Sequence, residues 1–207
     1  MQKILKAHKY VIQAGMSMDE MISMDQFFIN NIYCKLRGNV PKVSWRRLTC
    51  NNQSAAKWNF ILLLTAHGRL YTRDRLKRWG VIHDATCPMC GVAEESISHL
   101  FYVCTLSTEV WQKLLQWQGI YRQPMEWDAE VQWAISQHNG KSSSDEIYRM
   151  AIAGSIYQLW HERNLRVFQH RQRLAGEIVR VIIQEIFYRG SMKLSLRKKL
   201  QSLNFYP

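Results

Sequence analysis

No apolar run in the 207-residue chain exceeds the five residues of Phe60–Leu64. That is far short of the roughly 18 needed to cross a membrane as a helix. No two aspartates are adjacent, and no carboxylate cluster has the form that holds paired magnesium ions for phosphoryl transfer. Acid is scarce overall: 16 Asp and Glu face 28 Lys and Arg, a net charge of +12. The cysteine count, five, is odd, which argues against the paired framework of a small secreted protein. Strand-like alternation is sparse and no internal repeat is evident. The amino-terminal MQKILKAHKYVIQAGMSMDE is basic and amphipathic, but His8, Lys9 and Gln13 interrupt the apolar core that a secretory signal needs. A packed helix fits it better than an organelle-targeting segment. These absences predict an intracellular protein, nuclear or cytoplasmic, with reduced thiols, no membrane and no small-molecule substrate.

What is present reads as helix. Hydrophobic residues make up 47% of the chain and aromatics 12%, enough to build a core. Residues 2–14 predict a short amphipathic helix stopped by Gly15. A capping box at Ser17/Glu20 or Ser23/Gln26 then precedes a helix with Phe28, Ile32 and Leu36 on one face, which Gly38–Pro41 ends. SAAKWNFILLLTA, 54–66, is apolar nearly all round, as a central core helix would be. Thr72 is placed to cap a helix over 73–79 that Gly80 ends, and 107–118 carries Val110, Leu114 and Trp117 on one face. Residues 119–144 read as a loop-rich connection, with NGKSSSD as a mobile loop. Long helices are expected over about 145–170 and 174–190, the second with Ile178, Ile182 and Ile186 inward, before a basic tail. The predicted fold is mainly α: a compact helical domain with a small zinc-knuckle staple between helices. Its segments are 1–40, 41–118, 119–144 and 145–207.

The densest chemistry is CPMCGVAEESISHLFYVC, residues 87–104. Redox pair, disulfide loop and metal site are all open to a C-x-x-C. Here the full spacing is C-x2-C-x8-H-x4-C, from Cys87, Cys90, His99 and Cys104. Three thiolates and an imidazole are what a tetrahedral zinc takes. A two-residue gap aims both sulfurs at one point, Pro88 stiffens the turn, and Gly91 can adopt the positive φ that closes it. Ser96 is placed to cap a short helix carrying His99 and Cys104, with Leu100 and Phe101 beneath. Four protein ligands leave no open position, so the Zn2+ is expected to be structural. His83 is a weaker rival ligand, and Cys34 and Cys50 are expected to be buried thiols.

These residues and their surroundings resemble the zinc-binding domain at the C-terminal end of reverse transcriptases of plant non-LTR (LINE-type) retrotransposons. KWNFILLLTAHGRLYTRDRLKRWGV, CPMCGVAEESISHLFYVC and STEVWQKLLQW carry the resemblance over about Ser44–Trp117, and IYQLWHERNLRVFQHRQR continues it more loosely. It implies the same four metal ligands and a nucleic-acid-associated module. It does not imply the polymerase, whose domains lie upstream in that family and have no counterpart in these residues.

The positive charge is uneven. Residues 67–80 hold Arg69, Arg73, Arg75, Lys77 and Arg78 against one acid, Asp74. On a helix starting at Arg73, the cations Arg73 and Lys77 share one side, which can meet phosphates, while Leu76 and Trp79 pack inward. The plainer alternative is that these cations are solvated or paired with Asp74 and the Glu94/Glu95 turn. WHERN, 160–164, is read as structural, with Trp160 in the core and Glu162 and Arg163 on the surface or in an ion pair. Trp111, Trp117, Trp127 and Trp133 are read as core. Two functions follow: a non-catalytic zinc module that binds RNA or DNA, or a protein–protein interaction factor whose acidic 94–146 stretch serves a protein partner. An enzyme is the weakest reading.

Overall fold

The computed structural model describes residues 12–15, 17, 19, 29–38, 41–50 and 52–203. The chain divides into two units, 1–43 and 44–207. In the first, helix α1 spans Ile29–Arg37 and stops at Gly38, whose φ of 68° is the left-handed conformation expected there. Of the expected helix over 2–14 only 12–14 are described: 12 and 13 are helical and Gly15 follows at φ 68°. The Glu20, Ser23 and Gln26 capping positions and Phe28 lie outside the described residues, as does the side chain of Ile32. Leu36 and Cys34 are exposed, so Cys34 is not the buried thiol expected.

The second unit is a helical assembly around one long element. Its helices are α2 (Arg46–Cys50), α3 (Ala56–Ala66), α4 (Arg73–Arg78), α5 (Thr105–Trp117), α6 (Trp127–Gln137), α7 (Ser143–Gln169), α8 (Ala175–Gly190) and α9 (Leu194–Gln201). A π-helical turn, His99–Val103, precedes α5. Among the described residues there is no strand, only an isolated antiparallel bridge between Thr86 and Glu94. The fold is mainly α, as the sequence predicts.

Helix α7 is the axis, with α3 and α8 packed along it and α5 packed on α8. Its start is set by chemistry. Ser142 Oγ accepts from Asp145 N while the Asp145 carboxylate accepts from Ser142 N, a reciprocal capping box. NGKSSSD is therefore a built helix start, not the free loop its composition suggests. Ile178, Ile182 and Ile186 of α8 are fully buried against α7 and α5, together with Met150, Ile156, Val110 and Leu114. Where α3, α7 and α8 meet, α7 carries Gly154. A Cβ there would sit 2.7 Å from the Trp58 ring and 2.9 Å from Ile182 Cγ2, so only glycine lets the helices come this close.

Four expectations change. Helix α3 is not buried all round: Trp58, Leu62 and Thr65 face inward, but Phe60 is 58% exposed. Its position at the edge of the assembly, with neighbours on one side, decides this, not its composition. Helix α6 stands inside the stretch read as a loop. The Gly and Pro residues that suggested a loop flank WDAEVQWAISQ, whose Asp128 and Glu130 favour a helix start. Residues 41–118 and 145–207, read as separate segments, share one core. The basic tail contains α9, anchored by buried Leu196 and Leu200.

Gly154→Val tests the three-helix crossing. The added methyls have no room, and stability falls by about 2 kcal/mol or more in chemical denaturation; unchanged stability would show that the helices are not this close.

Candidate metal centre

The centre is built from two short turns. Around the first, Cys87 N donates to Ala93 O at 2.8 Å and Glu95 N donates to Ala85 O at 2.8 Å, pinning the two ends of a small hairpin. Gly91 turns the corner with φ 70°, its N–H donating to Cys87 O at 2.8 Å. Only a residue without Cβ does this without strain. In the second turn Ser96 caps as expected, its Oγ accepting from His99 N at 3.1 Å. The Cys104 N–H then reaches His99 O at 2.7 Å, the five-residue bond of a π turn. That turn brings both side chains to the hairpin, over fully buried Leu100 and Phe101.

Cys87, Cys90, His99 and Cys104 converge, their ligand atoms all within 4.8 Å of one another. Cys90 Sγ and His99 Nε2 are 3.3 Å apart. Donors about 2.3 Å from a zinc ion stand roughly 3.8 Å apart in a tetrahedron. The cluster therefore closes on zinc with adjustments of about an ångström. Met89 N donates to Cys87 Sγ at 3.4 Å, a bond that favours thiolate. A hydrogen bond with Cys104, and then burial, pushes the Cys87 thiol well up; the same hydrogen bond holds Cys104 below its usual value. Buried thiols sharing protons in this way must release them to bind metal, so affinity weakens as the pH is lowered. His83 is exposed and outside the cluster, and so is Cys50, which is exposed and not buried as expected. At the end of α2 it is Leu48 and Thr49 that take the inward positions.

One carboxylate fastens this centre to the fold. Glu95, fully buried, accepts from Arg163 Nη2 at 3.0 Å and Nε at 3.1 Å, a forked pair across 68 residues. The same carboxylate accepts from Arg73 N at 2.8 Å, and the Glu95 carbonyl accepts from Asp74 N at 3.2 Å. Glu95 therefore caps α4. Thr72 was expected to do so, but its hydroxyl is buried without a partner. Arg166 adds a second tie, donating to Met89 O at 2.7 Å. WHERN is structural: Arg163 pairs with Glu95, and buried Glu162 takes Arg166 and Arg173 at 2.8 and 2.9 Å. Trp160 is only partly buried, with the Arg163 guanidinium 5.0 Å from its ring centre. Neither local spacing nor periodicity reveals the Glu95–Arg163 pair, which spans 68 residues.

The cations of 67–80 are unevenly committed. Arg73 donates to Asp84 at 3.2 Å and to Thr86 O at 3.0 Å. Lys77 pairs with Glu94 at 2.6 Å and Arg78 with Asp74 at 3.2 Å. Arg75 donates to the carbonyls of Gly68 and Leu70. Arg69 is exposed with no partner among the described residues. Trp79 does not pack inward as expected. It is 52% exposed, meets Tyr71 (63% exposed) edge to face at 5.8 Å, and lies 4.9 Å beneath the Arg75 guanidinium. Trp111 and Trp117 are buried, and Trp127 and Trp133 pack partly against the core.

Residues 27–111 match the family model described as zinc-binding in reverse transcriptase. All four clustered ligands fall within that match. No match was found among curated proteins or solved structures. Residues 27–111 are thus similar to a zinc-binding region of reverse transcriptases, and no polymerase domain is matched.

A double-mutant cycle checks the anchoring pair. Glu95→Ala strands a buried guanidinium and lowers stability by about 3–5 kcal/mol, whereas Glu95→Leu combined with Arg163→Met recovers most of it. Equal losses in both variants would show that the pair contributes nothing as a pair.

Proposed function

We propose that residues 44–207 form a zinc-stapled, non-catalytic module that binds RNA or DNA and descends from a LINE-type retrotransposon reverse transcriptase. Bound zinc would cross-link the 87–91 and 99–104 turns, two elements too small to hold each other. Its four protein donors fill the coordination sphere, leaving no position for a reacting water. We place the protein inside the cell, where these thiols stay reduced.

The observation that carries the binding reading is the ledge made by Tyr71, Trp79 and Arg75. Two exposed rings with a guanidinium on one of them offer a stacking surface for unpaired bases. Arg69 and the exposed part of Arg78 add positive charge alongside, suited to phosphates. The ledge lies at α4, whose start is held by Glu95 of the zinc hairpin. The rival protein-partner reading draws on an acidic stretch that is only partly free, with Glu94, Glu109, Glu126 and Asp128 exposed. Glu95, Glu130 and Asp145 of the acidic stretch are buried and committed to internal partners.

Binding to a single-stranded RNA, followed by fluorescence anisotropy, tests this. Affinity falls steeply as salt rises from about 50 to about 300 mM, as phosphate contacts require. Trp79→Ala weakens binding by about tenfold while the melting temperature holds. Salt-independent binding, no binding, or indifference to Trp79 would overturn the reading.

A further inference from the structure

The two most buried arginines of the described structure are treated differently. Arg163 is 5% exposed and clasped by Glu95. Arg149, in α7, is 3% exposed and has no carboxylate within ion-pair distance among the described residues. Its Nη1 donates to His138 O at 2.7 Å and Gly140 O at 3.0 Å, and its Nε is buried with no partner. The nearest acids are spent elsewhere: Asp145 on Ser142 and His138, Glu146 on Lys193 at 2.7 Å. Burial therefore acts against this guanidinium's charge; Asp145 and then Glu146 offset this in part from a distance, and Arg47 adds repulsion. A buried cation with no carboxylate paired to it is costly, and an anion bound against it would relieve that cost.

Arg149 lines a cavity of about 300 Å³ with Arg47, Lys141, Cys50, Asn52 and Glu146. Arg47 and Lys141 are exposed at its rim, and Arg47 Nη1 donates to Asn139 O, so Arg47 and Arg149 grip the same 138–140 turn. Asn52 Nδ2 donates to Arg149 O at 2.5 Å, fixing the wall. With Glu146 neutralised by Lys193, three cations remain for one space. Guanidinium groups fixed in this way match the fork of a phosphate's oxygens.

We propose that this cavity is a phosphate-binding site, separate from the α4 ledge. The phosphate can belong to a nucleic-acid backbone, to a strand's 5′ end or to a small ligand. As a second strand contact it rests on the function proposed above; as a phosphate site it stands alone.

Cys50 in the wall gives a direct readout. In the full chain, neutral iodoacetamide alkylates both exposed thiols, and peptide mass spectrometry separates Cys50 from Cys34. Inorganic phosphate at several times its dissociation constant slows Cys50 labelling by about fivefold or more and leaves Cys34 unchanged. The Arg47→Glu/Lys141→Glu variant changes exposed groups only; with its melting temperature retained, it shows no protection. Oligonucleotides with 5′-phosphate and 5′-hydroxyl ends then separate the sources. Protection by both means backbone phosphate, by the first alone a strand end, and by inorganic phosphate alone a small ligand. No protection, equal protection by sodium chloride at matched ionic strength, or protection that survives in the variant would overturn the site. Phosphate protection without RNA binding would retain the site and remove the nucleic-acid reading. RNA binding lost on Trp79→Ala, with Cys50 unprotected throughout, would do the reverse.

Discussion

Glu95 is the side chain on which the working parts of this molecule depend. One buried carboxylate closes the zinc hairpin onto α7 through Arg163 and fixes the first turn of α4 through the Arg73 amide. Each of these elements is weak alone. The hairpin has one isolated bridge, and α4 is a six-residue helix with no buried residue. Isolated helices that short do not persist in water. Their order comes from a carboxylate held at a fixed place by a forked arginine on a 27-residue helix packed on both sides.

This arrangement separates holding from touching. Cys87 and Cys104 are buried and Cys90 and His99 partly so, packed over Leu100 and Phe101 where they could hold an ion. The exposed rings of Tyr71 and Trp79, with Arg75, lie one element earlier in the chain. Most neighbouring cations are already satisfied by Asp74, Asp84 and Glu94. Charge count therefore overstates the free positive surface, and the aromatic ledge is the more specific feature.

The sequence disclosed what local rules govern. Gly91, the Ser96 cap and the Ile178–Ile182–Ile186 face each depend on residues a few positions apart and are found as read, and Cys87, Cys90, His99 and Cys104 converge. What escaped depends on distance along the chain. The Glu95–Arg163 pair spans 68 residues, and Glu95 displaces Thr72 as the cap from 22 residues away. Trp79 is hydrophobic enough to be read as core, but a six-residue helix at the edge leaves it outside. Helix α6 was hidden because its breakers stand at its flanks, and Cys50 because burial of a lone thiol follows from neighbours that spacing does not reveal.

Zinc K-edge absorption of the purified chain, with metal content measured on the same sample, tests the central claim most directly. The account predicts one zinc per chain, bound by three sulfurs and one nitrogen, with no oxygen ligand. A folded protein without metal, or an ion with a water in its coordination sphere, would contradict it.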